Sequence, residues 1–208
     1  MRTLFALALL ASGCAGVQVD PRSVDRLPLE VKLDLIEAEN EMFMAVDALD
    51  EQGAKALDAR EQYRRSTDRI QEAKEVLDQA GRSKDKKQQE VAQLALKESR
   101  ERREFLDLWS DVQFALLDVE KARLEASRAR LERTKAKAVK KANVPGAEKI
   151  DPAQFDKAVA KAEAEVKLAS DRADQKKAGA EKLRGGWMNT RRDLALRTGG
   201  GQGSPWVQ

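Results

Sequence analysis

The stretch from Phe105 to Leu131, FLDLWSDVQFALLDVEKARLEASRARL, carries two apolar stripes where its neighbours carry one. One stripe is Leu117, Leu124 and Leu131; the other is Phe105, Val112, Val119 and Ala126, with Leu108, Ala115, Ala122 and Ala129 beside it. A helix that is apolar on two faces must be covered on both. The segment therefore predicts the middle helix of a body with one partner helix on either side.

The partners are legible on both flanks. From Pro28, a favourable first-turn residue, Leu35, Met42, Leu49, Ala56, Tyr63, Ile70 and Leu77 recur every seven residues, and Ala38, Ala45, Gln52, Ala59, Ser66, Ala73 and Ala80 follow three places after each. A sustained seven-residue repeat implies a left-handed supercoil. The first helix is expected over residues 28–81, weakened by Gly53 and ended by Gly81 as a left-handed cap. Asp85 with Gln88 resembles a capping box, so a second helix of similar length is expected over 85–143. Equal helices joined by a tight turn fold back antiparallel. A turn centred on Ser83 sets Leu35 opposite Leu131, Met42 opposite Leu124, Leu49 opposite Leu117 and Ile70 opposite Leu96, with Tyr63 beside Arg103. The same pairing lays Glu30, Asp34, Glu37, Glu39 and Glu41 on Lys135, Lys137, Lys140 and Lys141.

Val144-Pro145-Gly146-Ala147 breaks the second helix, and Asp151-Pro152-Ala153-Gln154 is a strong helix start. The third helix, 152–184, bears the stripe Phe155, Val159, Ala162, Val166, Ala169, Ala173, Ala180 and Leu183. A turn near Pro145 to Glu148 sets Val166 on Ala129, Ala169 on Ala126, Ala173 on Ala122, Ala180 on Ala115, Leu183 on Val112 and Trp187 near Leu108. Gly185-Gly186 is expected to interrupt it, with a short helix over 187–197 and a flexible Gly-rich tail over 198–208. The fold class is thus all-α, a long antiparallel three-helix coiled-coil-like bundle over 28–197.

Composition agrees and narrows the function. Charged residues are 36% of the chain and aromatics 4%, the bias of long solvated helices rather than a globular core. Lys and Arg number 39 against 36 Asp and Glu, interspersed, so the surface is not a nucleic-acid footprint. There is no histidine, no phosphate loop and no nucleophile elbow. Carboxylates at helical spacing arise in such a rod by accident. No catalysis, cofactor, metal site or small-molecule substrate is expected.

The first residues say where the chain goes. Arg2 is a positive n-region, Leu4 to Leu10 an apolar h-region, and Ala11, Ser12 and Gly13 a small-residue cleavage zone, too short to span a bilayer. The run Leu10-Ala11-Ser12-Gly13-Cys14 resembles the lipobox of bacterial lipoproteins, with Ala11 where Leu is usual. The resemblance covers residues 1–14 and implies cleavage between Gly13 and Cys14, with a diacylglycerol thioether and further acyl chain such as palmitate on Cys14. Ala15, similar to the residue after the cysteine in enterobacterial lipoproteins that leave the inner membrane, implies the outer membrane with the body facing the periplasm. Residues 15–27, containing Asp20-Pro21 and no periodicity, read as a flexible tether that reaches about 40 Å when extended.

The remaining candidate contacts are the aromatics Trp109, Phe114, Trp187 and Trp206, unusual in this composition, and Arg191 and Arg192. Trp109 and Phe114 fall outside the main stripes, so they broaden the core, support self-association or meet an envelope protein. Arg82, Lys84, Lys86, Lys87 and Arg184 share the end of the body with Arg191 and Arg192; a solvated helix end is the plainer account, and an acidic or phosphate-bearing partner the sharper one. The expected role is a membrane-anchored spacer or scaffold in an envelope complex. The alternative is a holdase resembling the periplasmic chaperone Skp, although the strand pattern of its trimerising body is missing here.

Overall fold

The computed structural model describes residues 17–83 and 85–199, and among these it is all-α. The elements are a short helix α1 (Pro21–Asp25), three long helices α2 (Leu29–Arg82), α3 (Lys86–Ala142) and α4 (Pro152–Arg197), and a 3-10 turn at Ala147–Lys149. α3 packs against α2 and against α4, the three-helix arrangement its two stripes require. The chain forms two compact units, one from residues 17–46 with Ala122–Val166, the other from Asp47–Lys121 with 167–199.

In the first unit the core gathers Val19, Leu27, Leu35, Ala136, Ala138, Val139, Ala147 and Phe155. The expected flexible tether is a correction: residues 17–27 are folded onto this core. Asp20 caps α1 by accepting the Arg22 N–H at 3.0 Å, and Pro21 sits in its first turn. The Val19 N–H donates to Glu132 Oε2 at 2.8 Å, and Ser23 Oγ–H to the Pro145 carbonyl at 3.4 Å. Apolar side chains at Val19, Val24 and Leu27 reach the end of α3, and their burial outweighs the entropy of a free linker. The connector turns through two left-handed residues, Asn143 (φ 48°) and Gly146 (φ 100°). Asp151 then caps α4 as expected, Oδ1 accepting the Ala153 N–H at 3.1 Å. Arg130 of α3 pairs with Glu163 of α4 at 2.7 Å. The Lys135 ammonium instead finds Glu132 on its own helix at 2.8 Å rather than a carboxylate of α2.

In the second unit α2 meets α3 in the expected register. Tyr63 Oη accepts from Arg103 Nη2 at 3.2 Å and its ring lies 5.3 Å from that guanidinium. The Gln52 amide donates to the Gln113 carbonyl at 3.1 Å and side chain at 2.9 Å, and a Cβ at Gly53 would lie 3.9 Å from Leu117 Cδ1. Small residues make this close approach: Ala56, Ala59, Ser66, Ala73 and Ala80 are all buried. Gly81 is no cap, because α2 continues to Arg82 without a left-handed residue. Asp85 opens α3 by accepting the N–H groups of Lys87 and Gln88 at 2.9 and 3.3 Å, and the Gln89 amide, not Gln88, reaches back to the Ser83 carbonyl at 2.7 Å.

Two expectations for α4 are corrected in this unit. The helix runs unbroken through Gly185 and Gly186, so there is no separate 187–197 segment. Its repeat keeps phase through the pair, with Ala173, Ala180, Trp187 and Leu194 seven residues apart and Leu194 1% exposed. Tertiary packing of Trp187 and Leu194 exceeds the cost of two glycines, about 1 kcal/mol each. The register also differs: Gly179, not Trp187, lies against Leu108, a Cβ there falling 3.2 Å from Leu108 Cδ2. Lys176 pairs with Asp111 at 3.6 Å and Arg197 with Glu90 at 3.4 Å. α4 is therefore displaced by about two turns from the symmetric pairing. A slide by one heptad matches the stripes equally well, so the choice falls to single side chains, a glycine under Leu108 and Trp187 against Phe105 and Glu98.

Candidate functional site

Where Trp187 comes to rest, the second unit brings three of its aromatic residues together. The Trp187 ring stacks on Phe105 with centroids 5.4 Å apart and planes 13° from parallel, and Phe105 stacks in turn on Trp109 at 6.0 Å and 25°. The ladder arises because Phe105 and Trp109 are one helical turn apart on α3. Phe105 belongs to the predicted stripe, and it draws Trp109 into the same ladder.

Charge closes around the ladder. The guanidinium groups of Arg102 and Arg191 each lie 5.8 Å from the Trp187 ring centroid, a cation–π pair on the indole. The indole Nε1–H donates to Glu98 Oε1 at 2.5 Å, and Glu98 is buried. Burial of the Arg102 guanidinium, then the neighbouring Arg69, pull Arg102 below the usual arginine range, Glu98 opposing and Arg191 adding to the shift. A carboxylate, an indole and several guanidinium groups thus form one charged network at the α3–α4 seam, the kind in which each member orients the next.

Outside the network Phe105, Trp109, Lys177, Glu181, Arg184 and Trp187 line a groove of about 380 Å³. Its floor is aromatic and its rim carries two cations and one carboxylate. That chemistry suits a flat apolar group with a negative charge beside it; the groove's lining holds no nucleophile with a base beside it.

Of the residues singled out from the sequence, the structure brings together Trp109, Trp187 and Arg191 and leaves others apart. Phe114, half-buried, lies under the Arg60 guanidinium at 5.8 Å rather than in the ladder. Arg192 is exposed. Gly13, Cys14, Lys84 and Trp206 lie outside the described residues. Sequence reasoning missed Glu98 and Arg102 as partners of Trp187. The signal available was the seven-residue phase of Trp187 with Ala180, which makes it a seam residue; nothing local pointed to the carboxylate.

Among the described residues no group of three or more Cys, Asp or Glu side chains is placed to hold a metal ion, and no helix is long and apolar enough to cross a membrane. No family model, curated protein or solved structure matches this chain.

Proposed function

We propose that the chain is a lipid-anchored protein of the bacterial envelope whose three-helix body serves as a non-catalytic spacer or scaffold, facing the periplasm from the outer membrane. The observation that carries this reading is the lone cysteine of the chain, Cys14, at the end of a lipobox-like run. Two or three acyl chains on one residue hold a protein firmly on a bilayer, at about 0.8 kcal/mol per buried methylene.

The fold refines the reading. Packing begins at Val19, so only residues 15–18 separate the anchor from the body. They span at most about 17 Å. An anchored body is held against the headgroup region instead of standing 40 Å away. Arg22, Arg26, Lys137, Lys140 and Lys141 are exposed on the segments that pack around this first unit's core, and suit a surface of lipid phosphates.

Metabolic labelling tests the anchor. Labelled palmitate should enter the wild-type chain and be lost from Cys14→Ser, which should leave the membrane fraction. Absence of label, or equal label in both, discards the anchor and the envelope role that depends on it.

A further inference from the structure

In the first unit α2 carries an exposed apolar stripe, part of which (Leu33, Ile36, Asn40, Met44) borders an open groove with Ser127 and Arg130 of α3. Leu29 is 76% exposed, Leu33 58%, Ile36 49%, Phe43 59% and Met44 70%, values that decide the matter because these side chains are elsewhere the core of the fold. Their spacing is ordered. Leu29, Leu33, Ile36, Asn40 and Phe43 alternate steps of four and three residues, the a/d pattern of a coiled-coil seam. Leu35, on the opposite face, is buried in the unit's core. α2 is thus built with two seams, one of which the single chain leaves uncovered.

We infer that a second copy of this chain covers it, the two α2 segments lying parallel and in register over Leu29 to Phe43. Three observations select that occupant. The fourth member of the stripe is Asn40, exposed and in an a position. Against an apolar partner its amide would go unpaired, whereas a parallel second copy sets it against Asn40 of the partner subunit, the arrangement that specifies register in two-stranded coils. The flanking charges agree. Lys32 occupies a g position and Glu37 the following e position, so Lys32 meets Glu37 of the partner subunit, twice by symmetry. Lys32 spends one of its three donors on the Asp25 carbonyl at 2.9 Å and keeps two for this pair. Finally, Glu30, Glu37, Glu39 and Glu41 outnumber Lys32 and the Arg130 of α3 around the stripe, which disfavours an anionic lipid surface as the occupant.

Parallel alignment also places both amino-terminal ends on one side. In this respect the inference deepens the proposed function and rests on it: two chains anchored at Cys14 on one membrane face present their α2 stripes in the same direction. A seam of about two heptads is short, in the size class of weak interfaces. Tethering to a common surface raises the effective concentration enough for such a seam to matter.

The experiment is oxidative cross-linking of the full-length chain carrying Leu33→Cys, in membranes and after purification, beside Asp34→Cys, which faces away from the stripe. In-register a positions come within disulfide reach. Leu33→Cys should give a covalent dimer of the chain, Asp34→Cys and wild type should not, and Ile36→Asp added to Leu33→Cys should abolish it. Ile36 is exposed, so the helical circular dichroism and melting of Ile36→Asp should match wild type. Lys32→Glu should weaken cross-linking, and Lys32→Glu with Glu37→Lys should restore it. The inference is overturned if Leu33→Cys stays monomeric, if Asp34→Cys links equally, if a trimer forms, or if the cross-linked species contains a different protein. Palmitate labelling of the same chains reports on the anchor alone, so failure of the anchor and failure of the dimer are separate results.

Discussion

Replacing Trp187 by phenylalanine keeps an aromatic ring beside Phe105 and removes the rest of the indole, its N–H included. In the folded chain that group donates to Glu98 at 2.5 Å. Glu98 is only 6% exposed, so water cannot replace the lost donor without rearrangement. A hydrogen bond to a charged acceptor contributes about 1.5–3 kcal/mol, and a buried acceptor left unpaired carries the full desolvation cost. The neighbouring Arg102 offsets part of it, so a loss of about 2 kcal/mol is expected for Trp187→Phe. Trp187→Ala also forfeits the stacking with Phe105, worth about 0.5–1.5 kcal/mol, and the cation–π contacts. The assay is equilibrium urea unfolding followed by far-ultraviolet circular dichroism, read as a shift in midpoint at constant slope. A double-mutant cycle with Glu98→Gln isolates the pair. If the bond is made as described, the two losses are non-additive by about 1 kcal/mol or more. A Trp187→Phe protein within about 0.5 kcal/mol of wild type, or strict additivity, refutes the claim that this bond holds α4 to α3.

Further expectations follow from individual residues. Gly185→Ala and Gly186→Ala should each stabilise the protein by about 0.5–1 kcal/mol, because both positions are helical with open space at Cβ; Gly179→Ala should not, since its Cβ would press on Leu108, and melting that falls for the first two denies the continuous helix. Deleting residues 15–27 should speed amide exchange over Ala136 to Val139, because the buried side chains of Val19 and Leu27 contribute about 1.5–3 kcal/mol each; unchanged exchange would restore the tether. The Glu61 carboxyl, held by Arg64 first and then Arg65, is lowered from 4.5 to about 2. Its stabilising contribution is therefore complete above pH 4.5 and lost as pH falls through about 2. Carboxyl-resolved titration by NMR should show Glu61 well below 4.5, and Glu61→Gln should flatten the acid limb of the stability profile; titration near 4.5 would remove the fork.

The periodicity of the chain determined much of this architecture before any coordinate was known. Two stripes on Phe105 to Leu131 required a helix covered on both faces, and α3 has Val112 and Val119 buried in one unit and Leu124, Ala126 and Leu131 in the other. Tyr63 opposite Arg103 was legible because a tight turn at Ser83 leaves little freedom in the first hairpin. The caps at Asp85 and Asp151 were legible because capping is a contact between residues two or three apart. Distance in space decided the rest. Asp20-Pro21 and Asp151-Pro152 are the same local signal, and only the packing of Val19 and Leu27 on the end of α3 makes the first of them a folded helix start. The phase of Ala173, Ala180, Trp187 and Leu194 ran through Gly185-Gly186 in plain view, yet intrinsic propensity argued for a break that burial of Leu194 overrides. The register of α4 was undetermined for a deeper reason. A heptad stripe looks the same after a slide of seven residues, so its alignment is set by the few side chains that do not repeat, Gly179 against Leu108 and Trp187 beside Glu98, and those meet only when the chain is folded.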